Sequence, residues 1–158
     1  MSTDLVIAEE HPGGAEPIAI LEQHLAFARR TSPPEHVHAL DIDGLLHPSV
    51  TFVGARADGV LLGVGALREL DAAHAEIKSM HTAAAARGRG VGAAIVRHLL
   101  DLARERRYAR VSLETGTDEA FAPARRLYAR EGFVPCPPFA EYTDNPFSTC
   151  MTLELGPG

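Results

Sequence analysis

The chain has 158 residues, of which 46% are apolar and 23% charged, and its net charge is −6. That length fits one domain, residues 1–158, with a core of its own. The acidic balance argues against general affinity for nucleic acid, which needs clustered cations, and no apolar run is long enough to span a membrane. In chain order, residues 5–7 read as a first short strand, closed by Pro12-Gly13-Gly14. Residues 17–30 read as a helix, with Pro17 in its first turn and Ile18, Leu21, Leu25 and Ala28 on one face. Residues 35–46 are ambiguous between loop and short helix. Two apolar runs, 49–57 and 60–67, flank Asp58-Gly59, a hairpin signal. Residues 76–82 form the fourth strand and 91–107 the main helix, with Val91, Ile95, Leu99 and Leu102 as its buried stripe. A strand at 110–113 is followed by a helix at 121–130, stopped by Gly132. Strands at 133–134 and 148–155 close the chain. This order implies a mixed α/β fold with one sheet, antiparallel at its hairpins and parallel across the main helix.

The N-terminus lacks a basic start and a long apolar run, so no secretory signal is read there. Cys136 and Cys150 stand apart in sequence with no pairing motif and read as thiols of a reducing compartment, a disulfide between them being the alternative that no motif supports, with the cytoplasm as the default location. His36, His38, Asp41, Asp43 and His47 suggest a metal cluster, but their spacing fits no zinc pattern and no cysteine joins them. No metal is therefore expected.

The most informative stretch is Arg87-Gly88-Arg89-Gly90-Val91-Gly92, between the fourth strand and the main helix. Glycines let the backbone bend sharply and expose its N–H groups. The first amides of the helix lack partners, and its N-terminus carries partial positive charge. With Arg87 and Arg89 beside it, this turn suits a phosphate or pyrophosphate.

The turn resembles the coenzyme A loop of the GNAT acetyltransferase superfamily. A second motif agrees: Val111-Ser112-Leu113-Glu114-Thr115, then Leu127-Tyr128, then Gly132-Phe133. The resemblance covers nearly the whole chain. It implies a mixed, mostly antiparallel central sheet of six to seven strands flanked by about four helices. It also implies acetyl-CoA as cosubstrate. By resemblance, the backbone amides of Gly88, Arg89, Gly90, Val91, Gly92 and Ala93 hold the pyrophosphate, and Arg87 and Arg89 sit near the phosphates. The backbone of Met80, His81 and Thr82 pairs with the pantetheine arm as an added strand would. Tyr128 corresponds to the tyrosine that protonates the departing thiolate, and Glu76 to a position where some histone-acetylating members carry a general base. One departure is Phe121, where many members have an Asn that touches the cofactor. The resemblance is compatible with a homodimer.

Acetyl transfer to an amine needs a neutral amine, donors for the developing oxyanion and protonation of the thiolate. No covalent enzyme intermediate is required. Glu76 is the candidate base; the alternative is an ion pair with Lys78, two residues on along the same strand face. His81 points opposite to Glu76 in a regular strand. Glu114 is a candidate lining residue of the acceptor side, and so is Tyr142. The expected reaction is transfer of acetyl from acetyl-CoA to the primary amine of a small molecule or amino acid, directly within a ternary complex. Two other readings stand beside it. Gly88-x-Gly90-x-x-Ala93 with Glu114 also fits a dinucleotide fingerprint, although it follows a hairpin and has no second nucleotide-binding half. A non-catalytic coenzyme A sensor is compatible with Phe121 and opposed by Tyr128.

Overall fold

Asp58 and Gly59 both take left-handed backbone, at φ 52° and 80°, as a two-residue type I′ hairpin requires. They join β2 (Val50–Ala57) to β3 (Val60–Asp71). The computed structural model describes residues 5–31 and 42–156. Around that hairpin, β1 (Val6–Glu9), β4 (His74–Thr82), β5 (Arg110–Gly116), β6 (Val134–Cys136) and β7 (Ser148–Glu154) complete a seven-stranded sheet ordered β1-β2-β3-β4-β5-β7-β6. The helices are α1 (Ala15–Thr31), α2 (Ile42–Leu45), α3 (Val91–Glu105) and α4 (Ala122–Arg130). The element order is the one expected from the sequence. Boundaries differ by a few residues: β4 begins at His74 rather than Glu76, and the strand expected at 133–134 is β6. Pro135 is tolerated there because β6 is an edge strand. Of the ambiguous segment 35–46, the described part forms α2. His36, His38 and Asp41, and the side chains of Leu25 and Ala28, lie outside the described residues. No described helix is long and apolar enough to cross a membrane.

Every strand pairing is antiparallel except β4 with β5. That pair holds for only three rungs, from His74↔Arg110 to Glu76↔Ser112. Beyond them β4 continues to Thr82 alongside β3, and β5 continues to Gly116 alongside β7. The sheet therefore opens into a slot between residues 77–82 and 113–116.

Helix α3 covers one face with Val91, Ile95, Val96, Leu99, Leu100 and Ala103, packed against Val53, Ala55, Leu67, Ile77 and Leu113. The approach is close. A Cβ on Gly65 would stand 2.6 Å from the Met80 sulfur and 2.7 Å from Ile95, and one on Gly63 2.9 Å from Val91. On the other face Ile20 and Leu21 of α1 and Leu45 of α2 cover Phe52, Val64 and Ala66. Each fully buried aliphatic side chain contributes roughly 1.5–3 kcal/mol, so the two covered faces hold the slot open between rigid walls.

Candidate active site

The first wall of the site is built by the turn before α3. Gly88 and Gly90 both have φ 78°, which side-chain-bearing residues rarely adopt. No side chain caps α3, and its first intrahelical bond runs from the Ala94 N–H to the Gly90 carbonyl. The amides of Val91, Gly92 and Ala93 are thus left without intrahelical partners. They face a groove of about 530 Å³ between this turn and α4. Met80, His81, Thr82, Arg87, Gly88, Gly90, Val91, Gly92, Ala93, Phe121 and Tyr128 all line it. Arg89 does not; it is exposed between the two glycines. A Cβ on Gly88 or Gly90 meets nothing within 4 Å, and the cost lies in the left-handed backbone. Gly90→Val is expected to weaken coenzyme A binding by roughly tenfold, the equivalent of about 1–2 kcal/mol of backbone strain. Calorimetry with coenzyme A tests this, and equal affinity would refute it.

Tyr128 lies at the inner end of the groove, on α4, with its ring edge-on to Phe133 at 5.9 Å. Burial alone raises its pKa far above that of a free phenol, so the hydroxyl stays protonated. Phe121 packs its ring against Gly116, where a Cβ would stand 2.3 Å from it.

A bulge marks the slot. Pairing steps from Ala66↔Lys78 to Val64↔His81, so that Gly65 faces both Ser79 and Met80. Ser79 carries the strain, at φ 56°, and its buried hydroxyl has no hydrogen-bond partner. The extra residue shifts the alternation. His81 therefore falls on the same face as Glu76 and Lys78, contrary to the regular-strand expectation.

On that face, turned away from α3, lies a buried polar network. Glu76 is 1% exposed. Its Oε1 is 2.9 Å from Arg68 Nη2, and its Oε2 is 3.6 Å from Lys78 Nζ and accepts the Tyr142 hydroxyl. Lys78 Nζ donates to the Tyr142 oxygen at 2.8 Å. Arg68 also donates to both oxygens of Glu141 at 3.0 Å. Phe139 stacks edge-on against Tyr142 at 5.1 Å and tilts over His74 at 5.7 Å. Both readings of Glu76 thus meet in one place: it lies beside the slot, and it is engaged by two cations and a phenol. Burial raises its pKa, and Lys78, the Tyr142 hydrogen bond and Arg68 oppose the rise. Burial likewise depresses the Lys78 ammonium.

Glu114 lies on β5 two residues past the last β4–β5 rung, on the same face as Ser112. Burial lifts its pKa to about 7, against the pull of a Ser148 hydrogen bond and the Lys78 charge. Of the expected residues, Glu76, Glu114 and Tyr142 therefore gather on one face, while Tyr128 and the glycine turn before α3 occupy the other. The slot joins the two. Arg68, Glu141 and His74 were not expected. A cation standing directly after the apolar run 60–67 of β3 is the signal that could have found Arg68.

The sheet also removes the dinucleotide alternative. After β5 the chain turns back antiparallel through β7, so α3 serves one parallel pair and no second nucleotide-binding half follows among the described residues.

Comparison with known proteins agrees with this geometry. Residues 18–133 match the acetyltransferase (GNAT) family. The chain is 43% identical over 142 residues to the uncharacterized N-acetyltransferase YsnE of Bacillus subtilis (strain 168), covering 90% of this chain and 94% of that protein. A Klebsiella pneumoniae structure assigned as an acyl-CoA N-acyltransferase superposes with a TM-score of 0.79 at 26% identity, covering 96% of this chain and 97% of that one. A GNAT family acetyltransferase from Elizabethkingia anophelis, solved with acetyl-CoA bound, superposes with a TM-score of 0.70 at 20% identity, covering 96% and 98%.

Proposed function

Because the chain belongs to the GNAT family of acetyltransferases, we propose that it moves the acetyl group of acetyl-CoA directly to the primary amine of a small molecule or amino acid within a ternary complex. The observation that carries this reading is the slot where β4 and β5 part, with an uncapped helix N-terminus on one side and a carboxylate network on the other. The residues fit the cosubstrate: the groove is lined by left-handed glycines and partnerless amides on the α3 side, and the open backbone edge of β4 lies beside it. Acetyl-CoA supplies an acyl group activated as a thioester.

The amides of residues 88–93 hold the pyrophosphate, and Arg87 and Arg89 balance the phosphate charge. Met80, His81 and Thr82 offer backbone to the pantetheine arm. Tyr128 gives its proton to the departing sulfur, for which its high pKa keeps the phenol protonated. Glu114 takes the proton from the acceptor ammonium, since its pKa of about 7 lies near neutrality and it sits beyond the last paired rung. Glu76 acts by holding Lys78, Arg68 and Tyr142 in place on the acceptor wall.

The amine must lose a proton before it attacks, so Glu114 has to be ionised. The kcat/KM for the acceptor is therefore expected to rise with pH and level off above about 7. Glu114→Gln is expected to abolish that limb and lower kcat/KM on the order of a hundredfold. A limb that survives the substitution would reassign the base. The reaction itself is tested by an amine panel that follows thiol release from acetyl-CoA. A chain that binds coenzyme A tightly but releases no thiol with any amine would be a sensor instead.

A further inference from the structure

Cys136 and Cys150, which stand apart in sequence, are partners directly opposite one another in the β6–β7 ladder. Both are free thiols; Cys150 is buried and Cys136 half-buried. Opposed residues of an antiparallel pair have Cα atoms about 4.5–5.5 Å apart, inside the window of roughly 4.4–6.8 Å that a disulfide spans. Across the next ladder Cys150 is opposite Glu114, so the thiols lie on the acceptor face of the sheet. They also close the base of loop 137–147. That loop carries Phe139, Glu141 and Tyr142, which bind His74, Arg68, Lys78 and Glu76.

We propose that Cys136 and Cys150 form a dithiol modification site, oxidised by low-molecular-weight disulfides to a bond that clamps the loop over the acceptor face. The Cys136 thiolate, the more accessible of the two, attacks one sulfur of the small disulfide. The S–S bond breaks and the first small thiol leaves with a proton. Cys150, as thiolate, then attacks the Cys136 sulfur and displaces the second small thiol. The protein loses two protons and two electrons, and one small disulfide becomes two thiols. Burial raises both thiol pKa values, that of Cys150 to about 11. The thiolate is thus the minor form at neutral pH, and exchange is slow there and accelerates as pH rises.

The effect on catalysis rests on the acetyltransferase reading; the bond itself does not. The full-length protein is incubated with oxidised glutathione and digested without reduction. The expected product is a peptide linking positions 136 and 150, formed faster at higher pH, reversed by dithiothreitol and absent from Cys136→Ser. The oxidised enzyme is expected to show an acceptor KM shifted on the order of tenfold, with coenzyme A affinity unchanged because its groove lies on the α3 side. Cys136→Ser should keep the kinetics of the reduced protein under both conditions. Glutathione retained on Cys136 without an internal link, or two thiols that stay free throughout, would overturn the site. A link that leaves acceptor KM unmoved would overturn the clamp. Absence of turnover with every amine would sink the acetyltransferase reading while the peptide map still decided the bond.

Discussion

Replacing Tyr128 by Phe is expected to lower turnover on the order of a hundredfold, the usual worth of a positioned general acid, with coenzyme A affinity unchanged. The substitution removes one oxygen and retains the ring that packs edge-on to Phe133. The hydroxyl has no protein hydrogen bond among the described residues and its pKa is raised by burial alone, so no described contact is lost with it. A loss confined to kcat, with calorimetric affinity for coenzyme A and the melting temperature intact, would mark an interaction made as the thiolate departs. Unchanged turnover would remove the acid role and leave water or the helix amides to stabilise the sulfur. A drop in stability instead would mean the oxygen is structural.

The second large effect is on folding. Glu76→Ala is expected to destabilise the protein by about 3–5 kcal/mol, because it leaves the buried Lys78 charge without a carboxylate, takes from the half-buried Arg68 one of its two carboxylate partners and removes the acceptor of the Tyr142 hydroxyl. For a chain of this size that corresponds to a fall in Tm of roughly 10 °C. Glu141→Ala is the control. Its carboxylate is 54% exposed, and an exposed partner of Arg68 is worth about 1 kcal/mol or less. Thermal unfolding followed by circular dichroism separates the two. Equal, small shifts would show that Arg68 and Lys78 find water once the carboxylate is gone, and that Glu76 is not the anchor of the acceptor wall.

These two residues differ in how far their surroundings could be read in advance. Tyr128 is placed by local pattern: a helix, a glycine stop at Gly132 and an aromatic at the following position. The same holds for Asp58-Gly59 and for the Gly88 and Gly90 turn, where left-handed backbone restricts the residue type to a few choices. The surroundings of Glu76 depend on distant pairings. Arg68 and Glu141, which share its network, are 73 residues apart, and the register that brings Arg68 opposite Glu76 passes through an irregular β3–β4 ladder. A single extra residue at Ser79 reverses the facing of the rest of β4, which is why His81 falls on the same face of the sheet as Glu76 and not on the opposite one. The cysteines show the same limit: nothing in their spacing reveals that the β6–β7 ladder places them face to face.

Residue pattern alone was sufficient for the order of strands and helices, the glycine turn before α3 and the place of Tyr128 on α4, since each rests on a backbone conformation or periodicity confined to a few neighbouring residues. Folding in three dimensions settled which cations and phenol engage Glu76, how far β4 and β5 stay together, and which thiols meet. Those outcomes follow from strand register and desolvation, and both are sums over contacts between segments far apart in the chain.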